Sequence, residues 1–465
     1  MTSFARAAYD GDVIRGATLL LAFAVVSGAC TTDARPTSSP SATLATPAPV
    51  TPAASASAGP LAPIAPPAAV LSGGSTWYLL PDGLSDQGIR LDVQFTEGDV
   101  SGGRPRARLR STGRTIDLVP NTPVLPPGVT GPAQHWLGTL ALDDARAGPD
   151  SYEVLVRLRS GVDAVVAQRA VVLSQPEYVV WTLDFEGDAA SDDALANTLA
   201  IARGQGVPMT LMWNPRVWTT TEVTPARADA MAQWTTANAG AGLAEVALHL
   251  HAWTDFVRDA GVAPRTAPSW AGRGDGYDVP LTAFDESETR KLVDRALALM
   301  AQHGMPRPTS FRGGGLFASA ANLRAVAAAG FTVDASATNA GIFGQLTLPW
   351  TLAKDAQPYH PSRDDANAAG DLALLEVPNI AGNTYGLTVN TIQSTIREDL
   401  AMLAPPTQPA ATRRVLTLVS HPATIDASER GAIEALFRAL EIYRFDRGNG
   451  PLRFVTLAQL ARALK

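Results

Sequence analysis

At 465 residues the chain is longer than one ordinary hydrophobic core requires, which predicts two domains together with non-globular segments. Hydrophobic residues make up 46% of the chain, and the formal net charge of −7 comes without a basic stripe, which argues against a nucleic-acid-binding protein. The single cysteine, Cys30, excludes an intramolecular disulfide framework and any cysteine-based zinc site.

The first 29 residues are predicted to be a signal peptide. Arg6 and Arg15 precede an apolar run, 17–26, that is too short to span a bilayer comfortably, and three small residues then lead to Cys30. A cysteine directly after such a segment resembles a bacterial lipobox, in which the cysteine is lipidated and becomes the mature N-terminus. The chain is therefore predicted to be exported and held at the cell envelope by a lipid on Cys30. The alternative is a plain secretory signal with an incidental cysteine, which would release the protein.

Two segments of different composition follow. Residues 30–73 are almost wholly Thr, Ser, Pro and Ala after the cysteine, so they are predicted to form a disordered tether. Residues 74–175 contain short runs, such as 89–95, in which apolar and polar residues alternate between Pro- and Gly-rich turns. This pattern predicts an all-β sandwich, either a support module or a weak glycan-binding module.

From residue 176 to 465 the pattern changes, and strand-like runs alternate with helical ones. Strands are predicted at 179–184, 209–213, 245–251, 309–312, 331–335, 373–377, 415–421 and 452–455. Helices are predicted at 191–204, 226–239, 287–302, 319–329, 391–403 and 427–443, with a last helix capped by Thr456. This alternation predicts a parallel sheet closed into a (β/α) barrel, whose chemistry lies at the carboxyl ends of the strands.

Titratable residues follow four of the predicted strands. They are Asp184, Glu186 and Asp188 after the first strand, His249 and His251 at the end of the third, Arg312 at the end of the fourth, and His421 at the end of the seventh. Residues two apart on a strand point to the same side, so His249 and His251 can face one point. Two imidazoles and a carboxylate suit Zn²⁺ with an open position for water. An isolated His-x-His pair would more often be structural, but the acids and the third histidine at neighbouring strand ends favour a metal site.

The order of these strand-end residues along the chain resembles the order of the motifs in the polysaccharide deacetylase family, carbohydrate esterase family 4. The matching motifs are Thr182-Leu183-Asp184-Phe185-Glu186-Gly187, the strand 245–248 leading into His249, Phe311-Arg312-Gly313-Gly314-Gly315 with Gly330-Phe331 after the next helix, and the strand ending at His421. The resemblance covers 177–465. It implies a distorted (β/α) barrel and the metal-dependent hydrolytic deacetylation of an N- or O-acetylated polysaccharide of the envelope or environment.

The same resemblance implies the metal ligands, with two departures from the family pattern. Phe185 separates the two acids that the family has side by side, so Glu186 is assigned as the acidic ligand and Asp188 is the other candidate. The family's second histidine lies four residues after the first, where this chain has Trp253, so His251 is assigned instead. The implied cofactor is a divalent metal, Zn²⁺ first, held by Glu186, His249 and His251.

The resemblance also implies catalytic roles. Asp184 would be the general base that takes a proton from water, Arg312 would orient Asp184, and His421 would protonate the leaving group. A helix-capping acid and a structural ion pair are the alternatives for Asp184 and Arg312. Aromatic residues after the strands could stack on sugar rings, and Trp253 is predicted to bind substrate; the others are Trp270, Tyr277 and Tyr359.

Two alternative functions are compatible with the sequence. One is a glycoside hydrolase that uses Asp184 and Glu186 as an acid and base pair without a metal. The other is a catalytically inactive, glycan-binding lipoprotein.

Overall fold

The computed structural model describes residues 68–84, 88–97, 104–121, 134–158 and 160–465. The predicted signal peptide, the predicted lipidation site Cys30 and most of the predicted tether lie outside these residues. The end of the tether is corrected, because Ala68–Leu71 form a β-strand that pairs with Gly88–Glu97. Backbone hydrogen bonding along this pair outweighs the low-complexity composition that precedes it. Within the described residues, no helix is both long enough and apolar enough to cross a membrane.

Residues 68–174 form two mainly antiparallel sheets. Their strands are β1 (Ala68–Leu71), β2 (Trp77–Leu79), β3 (Gly88–Glu97), β4 (Arg106–Leu109), β5 (Thr115–Asp117), β6 (Val119–Pro120), β7 (Gln134–Ala141), β8 (Gly148–Arg157) and β9 (Asp163–Ser174). One sheet has the order β1-β3-β7-β6 and the other β2-β9-β8-β4-β5. Apolar side chains of both sheets, including Ile89 and Val93 of β3 and Val154 and Val156 of β8, pack into a common core. The alternation of these strands therefore does bury one face of each sheet.

The rest of the chain is built on a curled parallel sheet. Its strands are β10 (Glu177–Asp184), β11 (Met209–Trp213), β12 (Ala244–Leu250), β13 (Ser310–Gly313), β14 (Val333–Asp334), β17 (Leu375–Glu376), β18 (Arg414–Ser420) and β19 (Leu452–Val455), while β15 (Ile342–Phe343) and β16 (Leu346–Thr347) form a separate hairpin. The order is β17-β14-β13-β12-β11-β10-β18, and β19 pairs with the first half of β10. Every residue of β10 is buried, as expected for a parallel strand covered on both faces.

Helices connect these strands. They are α1 (Asp192–Gln205), α2 (Pro225–Gly240), α3 (Thr254–Asp259), α4 (Glu286–Gln302), α5 (Ala320–Ala328), α6 (Gln393–Met402), α7 (Ala427–Leu440) and α8 (Leu457–Ala463). Short 3-10 turns lie at Pro215–Trp218, Leu281–Ala283, Gly314–Leu316, Glu441–Tyr443 and Phe445–Arg447. Ser191 caps α1 by accepting a hydrogen bond from the N–H of Ala194, and Thr456 caps α8, as predicted. Helix α1 passes the predicted stop at Gly204 and ends at Gln205, and the C-cap residue Gly206 has a left-handed backbone.

The predicted α/β architecture is confirmed in its parallel sheet, which forms a half-barrel rather than a fully hydrogen-bonded ring. The chain beyond β17 partly spans the gap, since the N–H groups of Ala381 and Thr384 donate to the carbonyls of Thr417 and Val419 on β18. Strands β14 and β17 have two residues each where the sequence predicted five. Irregular backbone in this part of the barrel satisfies hydrogen bonds that longer strands would otherwise make.

The antiparallel sheets and the parallel sheet belong to one compact unit, Pro66–Lys465. Asp82, which follows β2, accepts hydrogen bonds from the Tyr178 hydroxyl (3.0 Å) and the Arg453 guanidinium (2.7 Å). The predicted boundary near residue 175 therefore separates two kinds of sheet within that unit. The assignment of 74–175 and 176–465 as separate domains stays a prediction.

Buried Glu177 at the start of β10 makes the stability of this sheet depend on pH. Its Oε1 accepts a hydrogen bond from the N–H of Ala404 (2.8 Å), while its Oε2 has no partner within the described residues. Burial raises the pKa of Glu177 from 4.5 to about 7. Between these values the folded chain keeps a proton that the unfolded chain has lost, so stability falls as pH rises. We expect the free energy of unfolding to drop by about 3 kcal/mol from pH 4.5 to above pH 7 on account of this group.

Denaturant unfolding at several pH values checks this expectation. The Glu177→Gln variant keeps the acceptor for Ala404 and cannot ionise, so its stability should lack this pH-dependent loss. A carboxyl-to-amide change at exposed Asp193 is the control and should follow the parent protein. Identical pH profiles for the Glu177→Gln variant and the parent would show that Glu177 is not the responsible group.

Candidate metal centre

The carboxyl ends of four parallel strands bring the predicted site residues together. Strand β10 ends in Asp184 and is followed by Glu186, β12 carries His249 and is followed by His251, β13 carries Arg312, and His421 follows β18. Strands β12 and β13 are neighbours with His249 opposite Arg312, and β10 and β18 are paired up to Leu183 and Ser420. Parallel pairing places these ends at one rim of the sheet.

Glu186, His249 and His251 can each point one ligand atom at a common position. These atoms lie within 4.8 Å of one another. Nε2 of His251 is 2.5 Å from Oε2 of Glu186, and Nε2 of His249 is 3.8 Å from the same oxygen. Asp188, the other candidate for the acidic ligand, is exposed and belongs to neither group of candidate ligands in the described part of the chain. The geometry therefore favours Glu186 over Asp188.

Backbone carbonyls fix the tautomers of both histidines. Nδ1 of His249 is 3.2 Å from the carbonyl oxygen of Arg312, and Nδ1 of His251 is 2.8 Å from that of Tyr277. A carbonyl only accepts hydrogen bonds, so each Nδ1 carries a proton, and each ring in its neutral form would present the lone pair of Nε2 to the centre. Buried Nε2 of His249 has no hydrogen-bond partner within the described residues. Lone pairs of two imidazoles beside one carboxylate are a donor set that a divalent cation fits.

The electrostatics of the centre keep Glu186 ionised. Burial alone would raise the pKa of Glu186, but the imidazoles of His251 and His249 hold that pKa well below its ordinary value. Burial lowers the pKa of His249, but the carboxylates of Asp184 and Glu186 outweigh it and raise that pKa. The centre thus places the ionised carboxylate of Glu186 beside two buried imidazoles.

Asp184 is held by the fully buried guanidinium of Arg312. Nη1 of Arg312 donates to Oδ1 of Asp184 (2.7 Å) and to the hydroxyl of Thr182 (2.8 Å), and Nε donates to the carbonyl of Ala335 (2.8 Å). Nη2 donates to the side-chain oxygen of Asn379. The other carboxylate oxygen of Asp184, Oδ2, lies 3.9 Å from Nε2 of His249 and so faces the centre. This arrangement leaves one oxygen of Asp184 available for proton transfer.

His421 lies on the side of Glu186 away from His251. Its Nε2 is 3.2 Å from Oε1 of Glu186, and Asp184, Glu186 and His421 form a second group of candidate ligand atoms within 4.8 Å. Buried Nδ1 of His421 has no hydrogen-bond partner within the described residues. The ring of Tyr385 packs edge-on against the His421 ring, with 5.8 Å between the ring centroids. His421 is therefore close enough to the centre to exchange a proton with a group bound there.

Trp253, predicted to bind substrate, is placed differently. Its side chain is buried at 4% exposure, its indole N–H donates to the carbonyl of Glu186 (2.9 Å), and the Arg216 guanidinium lies 3.6 Å from its ring centroid. A buried ring covered by a guanidinium offers little surface for stacking on a sugar, and substrate binding by Trp253 stays a prediction. Trp253 holds the backbone that carries Glu186.

Sequence reasoning gave three contributors no role at the metal centre, although Thr182 lies in the first motif and Tyr277 was considered for stacking on sugar rings. Thr182 lies two residues before Asp184 on β10, and the period of a strand could have placed both side chains on one side. Asn379 follows β17 and donates to the carbonyls of Ala335 (2.6 Å) and Ala337 (3.0 Å) while accepting from Arg312. No local motif marks Asn379 or Tyr277 as part of the site.

Comparisons with known proteins give structural likenesses only. No protein-family model matches the chain, and no curated protein is similar to it in sequence. A candidate polysaccharide deacetylase from Mycobacterium smegmatis is 18% identical, with 61% of this chain and 88% of that one covered at a TM-score of 0.38. A family 4 carbohydrate esterase from Streptomyces lividans is 14% identical, with 61% and 94% covered at 0.32. A peptidoglycan deacetylase from Bacillus subtilis is 12% identical, with 62% and 92% covered at 0.29. Because these identities and TM-scores are low, the description of the fold and the site rests on the geometry of this chain alone.

Proposed function

We propose that this chain is a metal-dependent hydrolase that removes acetyl groups from an N- or O-acetylated polysaccharide. One observation carries the proposal: two imidazoles, those of His249 and His251, present their Nε2 atoms to the Glu186 carboxylate beside an aspartate that is bound to an arginine. The substrate class comes from the order of the sequence motifs, which resembles that of polysaccharide deacetylases. Zn²⁺ is the proposed ion because two imidazoles and one carboxylate leave an open position for water.

Each residue of the centre has its own role in the proposed reaction. Glu186, His249 and His251 would hold a divalent cation, which would supply Lewis acidity toward the acetyl carbonyl and lower the pKa of water. Asp184 takes a proton from the attacking water at Oδ2, and Arg312 keeps the carboxylate in that orientation through Oδ1. His421 donates a proton from Nε2 to the leaving nitrogen or oxygen, so that acetate and a free amine or hydroxyl are released.

The test of this function is acetate release by the full-length protein from acetylated peptidoglycan, chitooligosaccharides and acetylated exopolysaccharides. We expect acetate from at least one of these substrates, loss of activity after chelation, and recovery when Zn²⁺ is added back. His249→Ala should abolish stoichiometric Zn²⁺ binding together with the activity. Release of reducing sugar that is indifferent to chelators would support the glycoside hydrolase instead, and glycan binding without any acetate would support an inactive binding protein.

The glycoside hydrolase is the weaker candidate on electrostatic grounds. A general acid for glycosidic cleavage needs a raised pKa, whereas the imidazoles hold the pKa of Glu186 well below its ordinary value. Asp184 is bound through Oδ1 to the Arg312 guanidinium. Glu186 is therefore not suited to donate the proton that glycosidic cleavage needs near neutral pH.

We also propose that the protein acts outside the cytoplasm as a lipoprotein anchored through Cys30. This proposal rests on the N-terminal sequence alone, where a basic start, an apolar run and small residues precede the cysteine. Metabolic labelling with a radioactive fatty acid tests it, because a Cys30→Ser variant should lose the label. An unlabelled, secreted parent protein would contradict lipid anchoring.

A further inference from the structure

The loop between α3 and α4 has a well-defined conformation next to the metal centre. Oδ2 of buried Asp278 accepts hydrogen bonds from the N–H groups of Ala271 (3.0 Å) and Arg273 (2.9 Å). Trp270 stacks on Phe317 with 5.4 Å between ring centroids and 8° between planes. One carboxylate and one aromatic stack thus fix the backbone of residues 270–278, which form no helix or strand.

The same loop is fastened to the chain that follows β12. The N–H of Thr254 donates to the carbonyl of Asp275 (2.8 Å). Gly276 has a φ of +86°, and a Cβ added there would lie 2.6 Å from the carbonyl oxygen of Ala252. Only glycine permits both this backbone conformation and this approach. As a result, the next residue, Tyr277, packs against His251.

Tyr277 contacts two of the three candidate ligands through three different groups. Its carbonyl accepts the Nδ1 proton of His251 at 2.8 Å, and its ring stacks on the His251 ring with 4.2 Å between centroids and 7° between planes. Its hydroxyl donates to Oε2 of Glu186 at 3.1 Å, the oxygen that also faces His251. A single residue therefore sets the tautomer of one ligand, the plane of its ring and the orientation of a second ligand.

The placement of His251 explains why such a residue is needed. His251 follows the last residue of β12, and α3 begins only at Thr254, so no helix holds its side chain. The backbone of Gly314 also packs against the ring, because a Cβ added there would lie 2.6 Å from Nδ1. The ring of His251 is therefore restrained by contacts from other elements, and Tyr277 provides the hydrogen-bond acceptor at Nδ1.

We infer that Tyr277 is a positioning residue of the metal centre, whose hydroxyl orients the Glu186 carboxylate and whose ring and carbonyl orient His251. The inference rests on the proposed function, since it concerns the same centre. Partners that orient metal ligands in this way typically change metal affinity by roughly 10- to 100-fold. Tyr277→Phe removes only the hydroxyl and keeps the stack and the backbone carbonyl, so it isolates the contact to Glu186.

The experiment measures Zn²⁺ affinity of the full-length metal-free protein by competition with a chromogenic chelator, and the absorption spectrum of the Co²⁺-loaded protein. We expect Tyr277→Phe to bind Zn²⁺ roughly 10-fold or more weakly and to change the Co²⁺ ligand-field bands, with an unaltered thermal midpoint. The control is Tyr443→Phe, the same change in a buried tyrosine of the turn after α7, and it should leave affinity and spectrum unchanged.

The outcomes separate this role from the proposed function. Equal Zn²⁺ affinity and equal spectra for Tyr277→Phe and the parent would overturn the role of Tyr277 while leaving the metal centre intact. Equal weakening by Tyr443→Phe would also overturn it, because the effect would then be general. Failure of the parent protein to bind Zn²⁺ would overturn the proposed function and this role together.

Discussion

Asp184→Asn is expected to lower acetate release by about 10²- to 10⁴-fold while leaving Zn²⁺ affinity near that of the parent protein. The amide oxygen can still accept the hydrogen bond from Nη1 of Arg312, which is 2.7 Å from Oδ1 in the parent. What is lost is a group that can accept a proton at the position of Oδ2, 3.9 Å from Nε2 of His249. The substitution therefore tests the role of a base with little change of shape.

The matched comparison is Glu186→Gln, which should lose metal binding together with activity. Glu186 contributes an oxygen to both groups of candidate ligand atoms, whereas Asp184 belongs only to the group with His421. Zn²⁺ titration of both variants decides between a base and a ligand. If Asp184→Asn weakened Zn²⁺ binding as much as Glu186→Gln, Asp184 would be a metal ligand and the assignment of the base would be wrong.

Structural integrity of Asp184→Asn needs its own measurement, because the change leaves the Arg312 charge without its carboxylate. A lower thermal midpoint is expected for that reason. Activity is therefore compared at a temperature where both proteins give folded circular dichroism spectra. Full acetate release by a folded Asp184→Asn variant would rule out Asp184 as the base.

The positions of Asp184, Glu186, His249, Arg312 and His421 could be predicted because they depend on short-range pattern. Each follows or ends an apolar run, and parallel strands bring such ends to one rim whatever the details of the loops. His251 could be added from the period of a strand, in which residues two apart face the same side. Their chemical roles are predictions that the variants above test.

Tyr277 and Asn379, to which the sequence analysis gave no role at the metal centre, lie outside helices and strands. Tyr277 reaches the centre only because Asp278, Gly276 and Trp270 fix a loop that has no repeating pattern. Asn379 reaches Arg312 from irregular chain after a two-residue strand. The position of Trp253 after a strand gave no sign of the Arg216 guanidinium that covers its ring. Burial of a loop side chain is set by tertiary packing, which residue spacing does not encode.

Arg312→Met is expected to lower the free energy of unfolding by about 3–5 kcal/mol and to abolish acetate release. The guanidinium is fully buried and donates to Asp184, Thr182, Ala335 and Asn379. Methionine has a similar length but no donor, so it leaves a buried carboxylate and several buried acceptors without partners. Denaturant unfolding measures the loss, and zinc titration shows whether the ligands keep their arrangement.

The control is Arg290→Met, which removes an ion pair with Asp294 on the surface of α4. The Nε to Oδ1 distance there is 2.8 Å, but both side chains are about half exposed, at 42% and 53%. Solvent screens such a pair, so the expected loss is only about 0–1 kcal/mol. Equal losses for Arg312→Met and Arg290→Met would mean that the buried network contributes no more than a surface pair.

The double variant Asp184→Asn with Arg312→Met separates the ion pair from the rest of the network. Each single substitution leaves one buried charge unpaired, whereas the double variant removes both charges, so its loss of stability should be smaller than the sum of the two single losses. A coupling energy of about 1–3 kcal/mol in a double-mutant cycle is expected for charges joined at 2.7 Å. Strict additivity would show that Arg312 stabilises the sheet through Thr182, Ala335 and Asn379 alone, and Arg312 would then have no role in orienting the base.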